Sequence, residues 1–340
     1  MVELNGHDSS RLISRINDVS GFKLKPPIKL VTDTTEFTRI GHGDVIMLEG
    51  REFFISGDVY EPRFGLDEQP KFWVKRGYDL DDGRRVIVKL EFYEESVARF
   101  GSFSIPCYRS PEKESEVLWL VEGDSRFMQG RKYVDDAHNN VRVIDFIHGK
   151  SLFETILEME ISHEEYYYTY LSPLLKKLVG CFEAIQMLHE HDLYHGDIRN
   201  DHIMIEEGTG DFRWIDFDLC QDVMFDPYSN FTSFDVWSFG NVLQFVVGMG
   251  LSTFYDIRTS GNIQADIVSN LQPVDASAFH HHRLMNLKKI YPYISERLND
   301  MLMRFSIGAE DYYWTMAELM EDICGAIPDV PEGTSATFPA

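Results

Sequence analysis

The stretch that most restricts this chain runs over residues 193–220. A polar knot, His195-Gly196-Asp197, precedes a short apolar run, Ile203-Met204-Ile205. A turn holding Gly208 and Gly210 leads to a second apolar run, Trp214-Ile215, which ends in Asp216-Phe217-Asp218. Apolar run, glycine turn and apolar run predict a β-hairpin. Such a hairpin brings Asp197 at its entrance near Asp216 at its exit. Any fold of this chain must therefore hold two carboxylates at one end of a rigid strand pair.

Two carboxylates so placed suit phosphoryl transfer, where one orients an attacking hydroxyl and the other holds a metal that neutralises the phosphates. The stretch resembles the catalytic loop and metal motif of the protein-kinase-like superfamily, H-R-D-x-x-x-x-N and D-F-G. His195-Gly196-Asp197 stands for the first and Asp216-Phe217-Asp218 for the second, with Asp216 nineteen positions after Asp197. Either motif alone is a weak signal, but the pair at this spacing in a hairpin is specific. The resemblance implies an α+β, two-lobed protein-kinase-like fold, with a small antiparallel β N-lobe carrying one main helix and a larger α-helical C-lobe. The expected boundaries are an N-terminal extension over 1–40, an N-lobe over 41–146, a C-lobe over 147–326 and a loose tail over 327–340.

Ahead of the hairpin, Phe72-Trp73-Val74-Lys75 and the run from Arg85 to Leu90 read as strands flanking Asp81-Asp82-Gly83, a hairpin turn. Lys89 sits among β-branched residues of the second strand. Statistics alone make it a surface lysine. In the resemblance, Val86-Ile87-Val88-Lys89 matches V-A-I-K, and Lys89 contacts the α- and β-phosphates of ATP. Pro111, a good first-turn residue, then opens a helix with Val117, Leu118 and Val121 on one face. This matches the helix whose glutamate pairs with the lysine. In the register set by Val117-Leu118 that glutamate is Glu114, with Glu112 and Glu116 as neighbouring alternatives. The run from Val141 to His148 resembles the hinge strand, which implies Ile144 behind the adenine and the backbone of Asp145 to Ile147 along its edge.

Leu171, Leu174, Leu175, Leu178, Phe182, Ile185 and Leu188 recur at spacings of three and four and predict one helix over 164–191. Phe234-Asp235-Val236-Trp237-Ser238-Phe239-Gly240 resembles the D-x-W-S-x-G helix, whose aspartate holds the backbone of the catalytic loop. Helices are also expected over 294–305 and 313–323. His280, His281 and His282 invite a metal reading, but consecutive side chains on a regular element cannot face one point, so a polar loop is expected.

Four departures from the family pattern bear on chemistry. The asparagine expected five residues after Asp197 is His202, and imidazole suits Mn²⁺ or Zn²⁺ better than Mg²⁺. No G-x-G-x-x-G precedes Lys89. Gly57 and Gly65 punctuate the region, and Gly41-His42-Gly43 lies far upstream. Gly196 replaces an arginine that would sense loop phosphorylation. Eighteen residues lie between Asp216 and Asp235, with no A-P-E among them. The short segment resembles those of RIO-type kinases and aminoglycoside phosphotransferases, and Asp-Phe-Asp resembles some bacterial lipopolysaccharide sugar kinases. Arg199 takes the place of a lysine that touches the transferring phosphate, adding a bidentate fork.

The resemblance thus implies Asp197 and Arg199 as catalytic residues, Lys89, Glu114, Asp145 and Ile147 around ATP, and Asp216 with His202 on Mg²⁺ or Mn²⁺. The acceptor is then a protein Ser/Thr hydroxyl, or alternatively a small alcohol or sugar. The third reading is an inactive scaffold.

A chain of 340 residues with 44% hydrophobic and 26% charged residues can bury a large core in two domains or lobes. A formal charge of −24 argues against nucleic acid or an anionic membrane as partners, since both would be repelled. Four scattered cysteines, no leader-like N-terminus and no long apolar run predict a soluble, cytoplasmic chain with reduced thiols.

Overall fold

The computed structural model describes residues 2–4, 7–62, 68–100, 103–221, 231–259, 261 and 263–333. The fold is mixed α+β, sheet-rich in its N-terminal part and helical in its C-terminal part. The chain divides into two compact units, Met1–Glu94 with Arg109–Ile147, and Glu95–Tyr108 with His148–Ala340.

In the first unit the strands are β1 (Val2–Leu4), β2 (Ile28–Val31), β3 (Val45–Leu48), β4 (Arg51–Pro62), β5 (Glu68–Asp79) and β6 (Arg85–Lys89). In the second unit β7 (Glu95–Phe100) and β8 (Phe103–Arg109) follow, before β9 (Gly130–Val134) and β10 (Asn140–Asp145) return to the first. Among the described residues, eight strands form one sheet in the order β1-β2-β3-β4-β5-β6-β10-β9. The β5–β6 turn holds Gly83 at φ +80°, a conformation glycine adopts without strain. The sheet expected to be small and antiparallel with one main helix has eight strands, of which β2 and β3 run parallel, and two helices belong to this unit, α1 (His7–Ser20) and α2 (Pro111–Leu120).

The stretch read as an extension therefore contributes both sheet and helix. Strand alternation sends Ile46 and Phe53 into one apolar cluster and their neighbours Val45 and Phe54 into another. Leu12 and Ile16 of α1 join the second cluster with Leu80. Burying each such side chain stabilises the unit by about 2 kcal/mol. Gly65 lies outside the described residues.

The second unit is built on helices α3 (Leu152–Leu157), α4 (His163–Thr169), α5 (Leu171–His189), α6 (Phe231–Val247), α7 (Phe254–Thr259), α8 (Ala265–Ser269), α9 (Glu296–Met303) and α10 (Met316–Ala326). The helix expected over 164–191 is two helices, parted at Tyr170. Pro173 lacks a backbone N–H and fits only the first turn of a helix, so α5 starts afresh at Leu171. Its apolar stripe, Leu171 to Leu188, is buried throughout. Strands β11 (Gly149–Ser151), β12 (Ile203–Glu206) and β13 (Phe212–Trp214) form one small sheet. Strand β14 (Leu219–Gln221) pairs with β8 of the β7–β8 hairpin in another. No described helix is long and apolar enough to cross a membrane. The four cysteines are free thiols, three of them buried.

Candidate active site

In the first unit, Lys89 ends β6, where Val74 and Arg142 flank it across the sheet. Ser110 caps α2 by accepting the Lys113 amide, and this sets the phase of the helix. Glu112 and Glu116 then face solvent, while Glu114 is fully buried. Glu114 Oε1 lies 2.6 Å from Lys89 Nζ, and Glu114 Oε2 accepts from Arg142 Nε at 3.2 Å. One buried carboxylate thus joins two buried cations.

At the end of β10 the Asp145 amide donates to the Gln129 carbonyl at 2.8 Å, and the Phe146 amide to the Arg85 carbonyl at 3.1 Å. The Asp145 side chain turns outward to Arg84, 3.1 Å away. Ile144 is buried, and Ile147 closes the segment.

In the second unit the expected hairpin is β12–β13, with Ile203 opposite Trp214 and Ile205 opposite Phe212. Gly208 and Gly210 both take positive φ at its turn. The Ile215 amide donates to the His202 carbonyl at 3.0 Å, which carries the pairing one step past the strands. This step holds Asp216 beside His202. Asp216 itself has φ +70°, a left-handed conformation that costs a non-glycine residue about 1 kcal/mol or more and clusters at functional sites.

The loop before β12 is fixed from below by Asp235 of α6. Its carboxylate accepts the amides of His195 and Gly196, each at 2.8 Å, and contacts His189 Nε2 at 3.0 Å. Burial alone would raise its pKa, but the His189 hydrogen bond and charge, the His195 charge and the Gly196 amide together lower it. Gly196 has φ +84°, which explains glycine there in backbone terms. Gly240, further along α6, is equally constrained, because a Cβ on it would lie 2.4 Å from the Phe305 ring.

His202 is buried, with Nδ1 2.8 Å from the Asp197 carbonyl. A carbonyl only accepts, so Nδ1 carries the proton. The ring's other nitrogen, Nε2, lies 3.5 Å from Asp216 Oδ2, and Asp197 Oδ2 is 3.7 Å from Nδ1. Asp197, His202 and Asp216 are therefore brought together. Arg199 forms a fork on Asp201 and stands 3.8 Å from Asp197 Oδ2. Among the described residues no three His, Cys, Asp or Glu side chains converge closely enough to hold a metal alone.

A cavity of about 340 Å³ adjoins this cluster, lined by Asp197, Arg199, Asn200, Gln221 and Arg283 among others. Ala98 and Cys107 of the β7–β8 hairpin also line it. Burial pushes the Cys107 thiol pKa up.

Sequence reasoning missed Arg142, Gln221, Arg283 and the β7–β8 hairpin. Only Arg142 had a signal, an arginine inside an otherwise apolar strand. The expected loop at 280–282 is present, and burial holds His280 down to about 4. Much of the segment between Asp216 and Asp235, over 222–230, and the last residues of the tail, 334–340, lie outside the described residues.

No family model matches the chain, and no curated protein matches it. Among solved structures it is similar to a mutant form of the Mycobacterium tuberculosis PknI kinase domain, at 10% identity and a TM-score of 0.46. That match covers 82% of this chain and 96% of that one.

Proposed function

We propose that the chain is an ATP-dependent phosphotransferase of the protein-kinase-like type, moving the γ-phosphoryl group to a hydroxyl. The observation that carries this reading is the Asp197–His202–Asp216 cluster, whose Asp197 also lines a cavity. Asp197 is the base: it takes the proton of the acceptor hydroxyl as that oxygen bonds to the γ-phosphorus, and the bond to the β–γ bridging oxygen breaks to release ADP. Arg199 offers its guanidinium to the phosphoryl group in flight.

Asp216 and His202 fit a divalent cation. His202 Nε2 lies 3.5 Å from Asp216 Oδ2, so these two residues would hold such an ion. Two protein ligands, completed by phosphate oxygens and water, are the usual complement for Mg²⁺, and imidazole adds a preference for Mn²⁺. When bound, such an ion neutralises charge on the phosphates. In the first unit Lys89, steadied by Glu114, is the phosphate contact. With the Asp145 and Phe146 amides already engaged, the Asp145 carbonyl and Ile147 amide are the groups for the adenine edge.

The resemblance favours a protein Ser/Thr acceptor, whereas a cavity of about 340 Å³ beside Asp197 favours a small hydroxyl compound. The test is transfer from γ-labelled ATP with Mg²⁺ or Mn²⁺, alongside Asp197→Ala and Asp216→Ala. Label should move with the natural chain and with neither variant. Nucleotide binding without transfer in either metal would replace this reading with an inactive scaffold.

A further inference from the structure

Three residues that line the cavity beside Asp197 each carry a buried polar atom with no partner among the described residues. Among the described residues Arg283 Nε is buried without a hydrogen-bond partner, and so are Asn200 Oδ1 and Gln221 Oε1. Buried polar groups are nearly always paired, so three such atoms on residues around one cavity call for an explanation. Gln221 is buried, and its Nε2 donates to the Gly196 carbonyl. That contact fixes the amide's orientation and leaves Oε1 as the unmatched end.

Arg283 is the more telling of the three. The backbone holds it firmly: its amide donates to the His280 carbonyl at 2.8 Å, and its carbonyl accepts from the Ser277 amide at 2.9 Å. Burial pulls its guanidinium below the usual arginine range, and no acidic side chain among the described residues offsets this. In a chain of net charge −24, a half-buried arginine without a carboxylate is anomalous on structural grounds alone. The other arginine lining the cavity, Arg199, is already committed to Asp201. Among the described residues the cavity therefore offers one uncommitted cation and two uncommitted acceptors, in a volume suited to a small molecule.

We infer that the phosphoryl acceptor is a small hydroxy acid, its carboxylate paired with Arg283 and a further hydroxyl or ammonium group donating to Gln221 and Asn200. This rests on the phosphotransferase reading and names its substrate class. The hydroxyl oxygen of the acid attacks the γ-phosphorus, its proton passes to Asp197, and the phosphorus–oxygen bond to ADP breaks. The product is a phosphorylated acid and ADP.

The experiment pairs alcohols that differ in the acid group: glycerate against glycerol, serine against ethanolamine, glucuronate against glucose. Calorimetry without nucleotide measures binding of each, and ADP release from ATP measures turnover, in the natural chain and in Arg283→Gln and Arg283→Lys. At least one acid should bind and turn over better than its neutral partner. Arg283→Gln should weaken that acid about 10- to 100-fold, the worth of a charge-assisted hydrogen bond. It should leave ATP binding and the melting temperature unchanged, and Arg283→Lys should recover part of the loss. Neutral alcohols serving as well as acids, no acid binding at all, an unchanged response in Arg283→Gln, or transfer to casein in preference to every acid would overturn the inference. Arg283-dependent binding of an acid without any ADP release would instead retain the subsite and remove the phosphotransferase reading.

Discussion

The two charged clusters are built on opposite principles. In the N-terminal unit one buried carboxylate, Glu114, serves two buried cations, Lys89 and Arg142. In the C-terminal unit two carboxylates, Asp197 and Asp216, flank a single histidine, and Arg199 is bound to another aspartate. A carboxylate shared by two cations and a histidine flanked by two carboxylates are opposite arrangements, within a protein whose overall charge is strongly negative. The first cluster is buried, whereas the second adjoins a cavity whose lining residues carry polar atoms without partners among the described residues. Stability and reactivity should separate accordingly.

The largest effect that would break or sharpen this contrast is on transfer. Asp197→Ala should slow it about 10³-fold, within the range for loss of a general base, while nucleotide binding measured by calorimetry persists. Loss of binding as well would mean that the division of labour is wrong.

Next comes stability. Glu114→Ala leaves two buried cations without their carboxylate and should cost about 3–5 kcal/mol in urea unfolding. Adding Arg142→Met should restore part of it, because fewer unpaired charges remain. Asp216→Asn, in the open cluster, should stay within about 1 kcal/mol. Equal losses at Glu114 and Asp216 would erase the distinction.

A smaller effect concerns the metal. His202→Asn replaces imidazole with a hard oxygen and should move the ratio of Mn²⁺- to Mg²⁺-supported rates about tenfold toward Mg²⁺.

The smallest effect comes from outside both clusters. His163 stacks on Tyr291 with ring centroids 3.5 Å apart and contacts the Val247 carbonyl at 2.8 Å through Nε2. Burial lowers its pKa to about 4. The unfolded chain therefore takes up the proton first as pH falls below about 6.5, so stability is full above that pH and drains away down to about 4. Urea midpoints across this window should fall less steeply in His163→Gln. His280, similarly held down, keeps the slope from vanishing.

Local features were legible in the chain. The Asp-Asp-Gly turn, the β12–β13 hairpin and the capped start of α2 depend on neighbours within a few residues, and patterning reports such neighbours well. What stayed hidden was non-local. Arg142 becomes the second partner of Glu114 only through pairing of β10 with β6, two strands far apart along the chain. Pairing of β14 with β8 leaves no periodic trace, because each strand alone is short. Arg283 looked like a loop residue beside three histidines, and burial without a partner is a property of the folded chain alone. The break at Tyr170 was legible in principle from Pro173, but the continuous apolar stripe outweighed it.

Strand β8 bears on how the polypeptide tolerates cutting. The second unit borrows residues 95–108 from within the sequence of the first, so neither unit is a single uninterrupted stretch. A fragment starting at His148 would keep every helix of that unit but strip β14 of its neighbour, leaving a row of bare backbone donors and acceptors next to Asp216. Open strand edges recruit other chains. Such a fragment should associate with itself, and a synthetic peptide spanning 95–108 should suppress that association by reoccupying the vacated edge.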